Sequence, residues 1–473
     1  MNEQTATMGG VLAFKDRETE LDEVIGNVAE QSENRLMLLI AMPTMGKSRF
    51  LEHLPKEMRR RGLEQHQVYV DLGAEDPALR SRPGDLLERI FPGVDGGADP
   101  GEFPKLVATA IGKSKKPWLI LLDNADLLTH HTAGEVRRVL CGAVQVLKEG
   151  GKGDRLAFVA ASRVPIPAFR GLVPAPSFST LVLSQFGKDV IANTLGIAGS
   201  EVGLSRDPSF YQELGGWVRS DTEGLPALLA RTIEWIKDNK FTVADAPAEE
   251  RSRQLFQSVV RPYVKDTLLA PNTLLPETLR RSSARAPERA MTEAFAELVL
   301  RLSVFRLVTR SHLNAMAARH PRLRQALQTI SAVGDPYDLF GELSIVEPSQ
   351  ELWYSQYRAV RRLYFRYEYA AIDGQAGAHR EAQDLYDQWP HAMSGDDSAR
   401  FFIERLWHEV ETVRLSGPEN ARARIEPYAE ELLGQMQERE VRRAFGRLVR
   451  EDDELKHSLE AIGLSPAVLL SLV

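Results

Sequence analysis

The chain has 473 residues, 43% of them hydrophobic and 26% charged, with a net charge of −7; this balance excludes fibrous, disordered and generically polyanion-binding proteins. At roughly 150 residues per domain, such a length gives about three domains, each able to bury a core. The single cysteine, Cys141, excludes an intrachain disulfide and a cysteine-rich metal site, and neither a basic-then-apolar leader nor an apolar run longer than a strand occurs, so a cytoplasmic protein outside the membrane is expected.

In chain order, short β-type runs alternate with amphipathic helical stretches over the first half, the pattern of a parallel sheet with helices on both faces. Strands are predicted at Leu36–Ala41, Gln67–Leu72, Trp118–Leu122, Leu156–Ala161 and Thr180–Leu183, with helices from Gly46 to about Arg61 and from Gly134 to about Lys148. From about Gly187 the chain reads as nearly continuous helix, and proline-rich stretches at Asp245–Glu249 and Pro271–Pro287 read as linkers or long loops. Helical periodicity over Thr292–Ser331, then apolar runs at Leu343–Val346 and Leu352–Tyr354, predict helices followed by a β-hairpin, as in a winged helix. Beyond Ala370 the helical pieces are Ala378–Asp387, Ser398–Leu415 and Ile425–Val449. The domains expected are therefore residues 1–186, an α/β domain; 187–250, helical; 251–370, a winged helix with its linker; and 371–473, an all-α carboxyl-terminal domain.

Residues 41–48, Ala-Met-Pro-Thr-Met-Gly-Lys-Ser, fit the phosphate-loop pattern G-x-x-x-x-G-K-[ST], with Ala41 in place of the first glycine. The motif follows an apolar strand and opens a helix, where backbone N–H groups and a helix N-terminus can face phosphates. Pro43, Thr44, Met45 and Gly46 would form the loop, Lys47 would bridge the β- and γ-phosphates, Ser48 would bind Mg²⁺, and Arg49 follows in the first helical turn. A second strand, Trp118–Leu122, ends at Asp123, 76 residues beyond Lys47. Asp123 would stand beside Ser48 and share the metal ion. Asn124 follows where a base is wanted; an asparagine orients water but takes no proton, so hydrolysis is expected to be slow unless Asp126 substitutes. Arg163, after Leu156–Ala161 and Ser162, stands at the carboxyl edge of the sheet and can sense a γ-phosphate.

Together these residues resemble the STAND class of P-loop NTPases, the signal-transduction ATPases that include NB-ARC and NACHT proteins, over roughly residues 12–370. Leu12-Ala13-Phe14-Lys15-Asp16-Arg17-Glu18 is similar to the family's amino-terminal element, with Asp16 for its glycine, which implies adenine-side contacts near Arg17 and Glu18. Ala160-Ala161-Ser162-Arg163 resembles its first sensor, and Gly224-Leu225-Pro226 its Gly-x-Pro motif, which implies that Pro226 packs on adenine; on its own chemistry Pro226 is a good first helical residue. Leu302–Phe305 and Trp353–Tyr364 look like the domain that closes over ADP, with Tyr357-Arg358-Ala359-Val360-Arg361 where the family carries a histidine.

The resemblance implies an ATP/ADP- and Mg²⁺-binding switch, slow in hydrolysis, controlling a nucleotide-dependent homo- or hetero-oligomer through an effector or sensor supplied by another chain, in a bacterial conflict or defence system. Two rivals stand beside it, an AAA+-like ATPase acting on DNA and an adaptor that binds nucleotide without hydrolysing it. Between Arg251 and Ala370, 18 basic residues meet 11 acidic ones, a surplus of +7 that leaves −14 for the rest. That surplus could serve phosphates or an acidic domain of the same chain; direct DNA binding is not expected, because a loader would carry Asp-Glu at 123 and 124. His408-Glu409 lacks the second histidine of a zinc protease and reads as helix packing, and His130-His131 is placed in a loop.

Overall fold

Apolar runs rich in Leu, Ile and Val form five strands: β1 (Leu36–Ile40), β2 (His66–Asp71), β3 (Trp118–Asp123), β4 (Leu156–Ser162) and β5 (Ser179–Val182). The computed structural model describes residues 17–29, 35–42, 45–94, 99, 101–163, 166–169, 178–276, 279, 288–347, 353–387, 395–417 and 419–472. All strand pairs are parallel, in the order β2-β3-β4-β1-β5. β3 and β4 are buried along their whole length, whereas the edge strands β2 and β5 are only partly covered. Continuous apolar sequence marks the strands covered on both faces. Each strand lies within one residue of its expected bounds. Because β4 inserts between β1 and β3, the loop after β1, the end of β3 and the end of β4 share one edge.

One face of the sheet, with Leu36, Leu38, Ile120, Leu122, Phe158 and Ala160, packs on α3 (Pro83–Ile90), α4 (Phe103–Lys113) and α5 (His130–Glu149). The other face buries Met37, Leu39, Leu121 and Val159 and meets α1 (Glu18–Ala29) and α2 (Lys47–Arg60). The helix expected from Gly134 starts four residues earlier, at His130, because the Thr129 hydroxyl accepts from the Thr132 N–H at 3.2 Å and caps it. His130 and His131 therefore sit in the first turn of α5. Beyond β5, α6 (Lys188–Glu201), α7 (Pro208–Thr222) and α8 (Pro226–Asp238) enclose a separate apolar cluster that includes Leu195, Leu214, Val218 and Ile233. No helix among the described residues is long and apolar enough to cross a membrane.

The chain divides into two compact units, residues 1–260 and 261–473. In the second, helices Glu288–Leu302, Arg310–Arg319 and Pro321–Ser331 precede an antiparallel pair, β6 (Val346–Glu347) and β7 (Ser355–Gln356). This hairpin lies later than its expected runs because Tyr354 pairs with Val308, exchanging backbone hydrogen bonds of 2.7 and 2.8 Å; Leu352 lies outside the described residues. Helix Arg358–Glu368 follows, and then a bundle whose core includes Leu406, Val410, Leu432, Phe445 and Leu459. The stretch expected as one helix from Ile425 to Val449 is two, Ala421–Gln435 and Arg439–Glu451, parted where Met436 turns extended and buries its side chain.

Within this unit the basic stretch meets acids from beyond residue 370. Arg306, 9% exposed, binds Glu404 at 2.8 Å and Asp452 at 2.9 Å and stacks over Trp407, 4.7 Å from its centroid. Arg361 is likewise buried and paired with Glu454. Burial opposes the charge of Glu454, but Arg361 and Arg306 outweigh it and hold the carboxyl down at about 2. Removing one partner of a buried pair strands the other charge. Arg306→Met is therefore expected to destabilise this unit by about 3–5 kcal/mol, read from urea unfolding; unchanged stability would show that the pairs contribute nothing net.

Candidate functional site

The loop between β1 and α2 turns at Gly46, whose φ of +84° lies in the left-handed region that only glycine adopts cheaply, and α2 starts at the next residue. Ala41, by contrast, is not among the residues of positive φ; it continues the strand and donates its N–H to the Ser162 carbonyl at 3.1 Å. Nothing in its backbone calls for the missing glycine. Lys47 is buried, and its Nζ donates to the Ala41 carbonyl at 2.6 Å and the Met42 carbonyl at 3.2 Å. Met45 is buried, Gly46 and Arg49 are partly covered and Ser48 is exposed; Pro43 and Thr44 lie outside the described residues, as do residues 12–16.

Asp123 ends β3 with 0% exposure. Its carboxylate accepts from the Ser48 hydroxyl, from the Asn124 N–H at 2.8 Å and from the Tyr69 hydroxyl at 3.2 Å. Burial, aided by the charge of Asp71, pushes its carboxyl up against the pull of the Ser48 and Asn124 bonds and of Lys47, and burial beside Asp123 likewise raises the Tyr69 phenol. The expected pairing of Ser48 with Asp123 across the sheet edge is present. A hydroxyl and a carboxylate are hard oxygen donors of the kind Mg²⁺ takes, so these residues fit that ion.

Asn124 takes the left-handed conformation, φ 55° and ψ 40°, which asparagine tolerates better than most residues. That turn carries its side chain toward β2, where Nδ2 donates to Asp71 Oδ1 at 2.8 Å. Asp71 is in register with Asp123, and its Oδ1 also accepts the Gly73 N–H at 2.8 Å. A Cβ at Gly73 would stand 3.0 Å from both Asn124 Nδ2 and Asp71 Oδ1, so glycine is what lets the chain pass so close to the pair. Asp71 was not singled out from the sequence; the available signal was an acid closing a β-type run on the same edge as Asp123. Asp126, weighed as a substitute base, is committed elsewhere: it accepts the Arg163 N–H at 3.0 Å and Nε at 2.5 Å, and is 5% exposed. Arg163 reaches the expected edge, bound to a carboxylate.

The two stretches expected on the adenine side converge on Phe186. Arg17 is buried, pairs with Glu20 at 2.6 Å, donates to the Ser184 carbonyl at 2.6 Å and stacks 4.7 Å from the Phe186 ring. Phe186 donates its N–H to the Gly224 carbonyl, and Gly224, at φ +65°, has no room for a Cβ, which would meet the Phe186 carbonyl at 2.5 Å. Two residues on, Pro226 is buried as the first residue of α8. Glu18 is exposed in the first turn of α1.

A glycine-turned loop opening α2, a buried acid two strands away on β3, and an arginine closing the strand between them decide the architecture. This is the fold of a P-loop NTPase. No protein-family model matches the sequence, and no curated protein matches it. Solved structures similar to it include a Walker-type ATPase of Pyrococcus abyssi, 15% identical over 74% of this chain and 95% of that one, with a TM-score of 0.38. The ORC2 protein of Aeropyrum pernix, solved in ADPNP–ADP complexes, is 12% identical over 78% and 95%, with a TM-score of 0.39. A STAND protein with a tetratricopeptide repeat sensor from Pyrococcus horikoshii is 12% identical over 94% of this chain and 54% of that one, with a TM-score of 0.31. The P-loop NTPase assignment rests on the chain's own strand order and loop.

Burial brings the Lys47 ammonium down from its ordinary 10.5 to about 8, opposed by Asp126 and Asp123 and assisted by Arg163. The unfolded chain keeps that proton up to about 10.5, so between these values the unfolded state binds more protons and stability rises with pH. Relative to Lys47→Met, the nucleotide-free protein is expected to gain about 1–3 kcal/mol between pH 8 and 10.5. Parallel stability curves for the two proteins would contradict this burial.

Proposed function

We propose that the chain is a Mg²⁺-dependent, slowly turning-over ATPase that works as a STAND-like switch, its nucleotide state controlling oligomerisation or an effector supplied by another chain. The observation that carries the reading is the constellation at one sheet edge: Lys47 behind Gly46, Ser48 bonded to Asp123, and Arg163 at the end of the strand between them. In this reading the loop with Pro43, Thr44, Met45 and Gly46 cradles the phosphates, Lys47 bridges β and γ, and Arg49 flanks them. Ser48 and Asp123 hold Mg²⁺, which when bound neutralises phosphate charge. Arg17, Glu18 and Pro226 face the adenine side.

A switch needs ATP and ADP to favour different states. The Arg163–Asp126 pair supplies a term of that kind: a γ-phosphate competes with Asp126 for the guanidinium, and ADP does not. Residues 187–250 would then act as a helical lid, 251–370 as a winged helix and 371–473 as the partner-binding region, in a cytoplasmic oligomer, with a bacterial defence system as the setting. The pairing of Arg306 and Arg361 with acids of the same unit supports the reading in which the basic stretch meets an acidic domain rather than DNA.

Lys47→Ala is expected to lose at least tenfold in ATP affinity by calorimetry with the fold intact by circular dichroism; unchanged affinity would remove the phosphate-loop role. Because phosphates restore the proton that burial weakens, ATP affinity of the wild type is expected to fall above about pH 8, by up to about tenfold per unit.

Duplex DNA is the ligand on which the rival readings part. Weak binding is expected at physiological salt, by fluorescence anisotropy. Submicromolar binding that falls by roughly 0.9 log units per log unit of salt for each contact would instead favour an AAA+-like ATPase acting on DNA.

A further inference from the structure

Three carboxylates close or follow strands at the site edge, and two are committed. Asp123 accepts from Ser48, Tyr69 and the Asn124 N–H. Asp126 holds Arg163 through both oxygens. The third, Asp71, is half-buried and uses one oxygen only: Oδ1 accepts from Asn124 Nδ2 and the Gly73 N–H, while Oδ2 accepts no hydrogen bond among the described residues. Asn124 gives its Nδ2 to Asp71, and its Oδ1 accepts no hydrogen bond among the described residues. The hydrogen-bonded pair therefore leaves one acceptor uncommitted on each side chain, one neutral and one charged, and Asn124 is the chain neighbour of the buried acid Asp123. A water molecule has two protons to give to such a pair.

We propose that Asp71 is the general base of the ATPase, with Asn124 as its positioning partner: the carboxylate absent at residue 124 is supplied from the neighbouring strand. This rests on the ATPase reading above. Water donates one hydrogen bond to Asn124 Oδ1 and the other to Asp71 Oδ2. As its oxygen bonds to the γ-phosphorus, the bond from that phosphorus to the β–γ bridging oxygen breaks. The electron pair leaves with ADP, the water proton passes to Asp71, and inorganic phosphate and ADP are the products; Asp71 then returns the proton to solvent. A base held through a hydrogen bond to the next strand, instead of on β3 itself, fits slow turnover.

The pair offers a clean exchange. Asp71→Asn keeps both hydrogen bonds to Oδ1 and removes only the charge. The double variant Asp71→Asn/Asn124→Asp swaps carboxylate and amide within the same bond. ATP affinity is measured by calorimetry and hydrolysis by single-turnover release of labelled phosphate, on the full chain with Mg²⁺. Asp71→Asn is expected to bind ATP within about threefold of wild type and to hydrolyse it about 10²-fold more slowly or worse, the usual cost of losing a positioned base. The double variant is expected to recover at least tenfold over Asp71→Asn. Wild-type hydrolysis in Asp71→Asn with affinity intact overturns the proposal. So does a double variant that binds ATP yet stays as slow as the single one, or a wild type that binds ATP yet hydrolyses it no faster than Asp71→Asn. A wild type that does not bind ATP at all shows in the affinity arm, and there the ATPase reading itself fails and takes the base with it.

Discussion

A fully buried carboxylate at the end of β3 organises the α/β half of this protein. Asp123 has no access to water, so its charge is tolerable only while hydroxyls, an N–H and a cation surround it. Each neighbour is fixed by a different piece of the fold. Ser48 comes from the first turn of α2, Tyr69 from the edge strand β2, and the Asn124 N–H from the turn that ends β3. β4 has to lie between β1 and β3 for the phosphate loop to reach across to this acid, and Arg163 reaches the same edge because it closes that strand.

How much of this could be read from sequence differs by the kind of physics involved. The strands were legible because covered parallel strands are continuous apolar runs, as in Trp118-Leu119-Ile120-Leu121-Leu122. Lys47, Ser48 and Asp123 stood out because their signals are local: a G-K-[ST] run between a strand and a helix, and an acid closing an apolar strand. The partner of Asn124 did not. Asp71 lies 53 residues away, and only strand register sets it opposite Asp123. The engagement of Asp126 by Arg163 escaped for the same reason, since an ion pair between a 3₁₀ turn and a distant strand end leaves no local pattern. Helix ends set by a cap or a buried side chain, such as those at Thr129 and Met436, move a boundary by a few residues without changing the periodicity that announces the helix.

Part of the basic stretch is engaged within its own unit. Arg306 and Arg361 are buried against Glu404, Asp452 and Glu454, and both stack on Trp407. A charge surplus in one segment and a deficit in another are what a chain needs to bind its own two parts together. The cost is desolvation, and the gain is directional: guanidinium planes and carboxylates admit few alternative registers.

The contacts of Lys47 set what any anion at the loop must do. Its Nζ is hydrogen-bonded to the carbonyls of Ala41 and Met42, so an incoming anion exchanges one set of oxygens for another instead of meeting a bare cation. The contribution of the lysine to such binding is a difference between two sets of hydrogen bonds, and is smaller than its charge alone suggests.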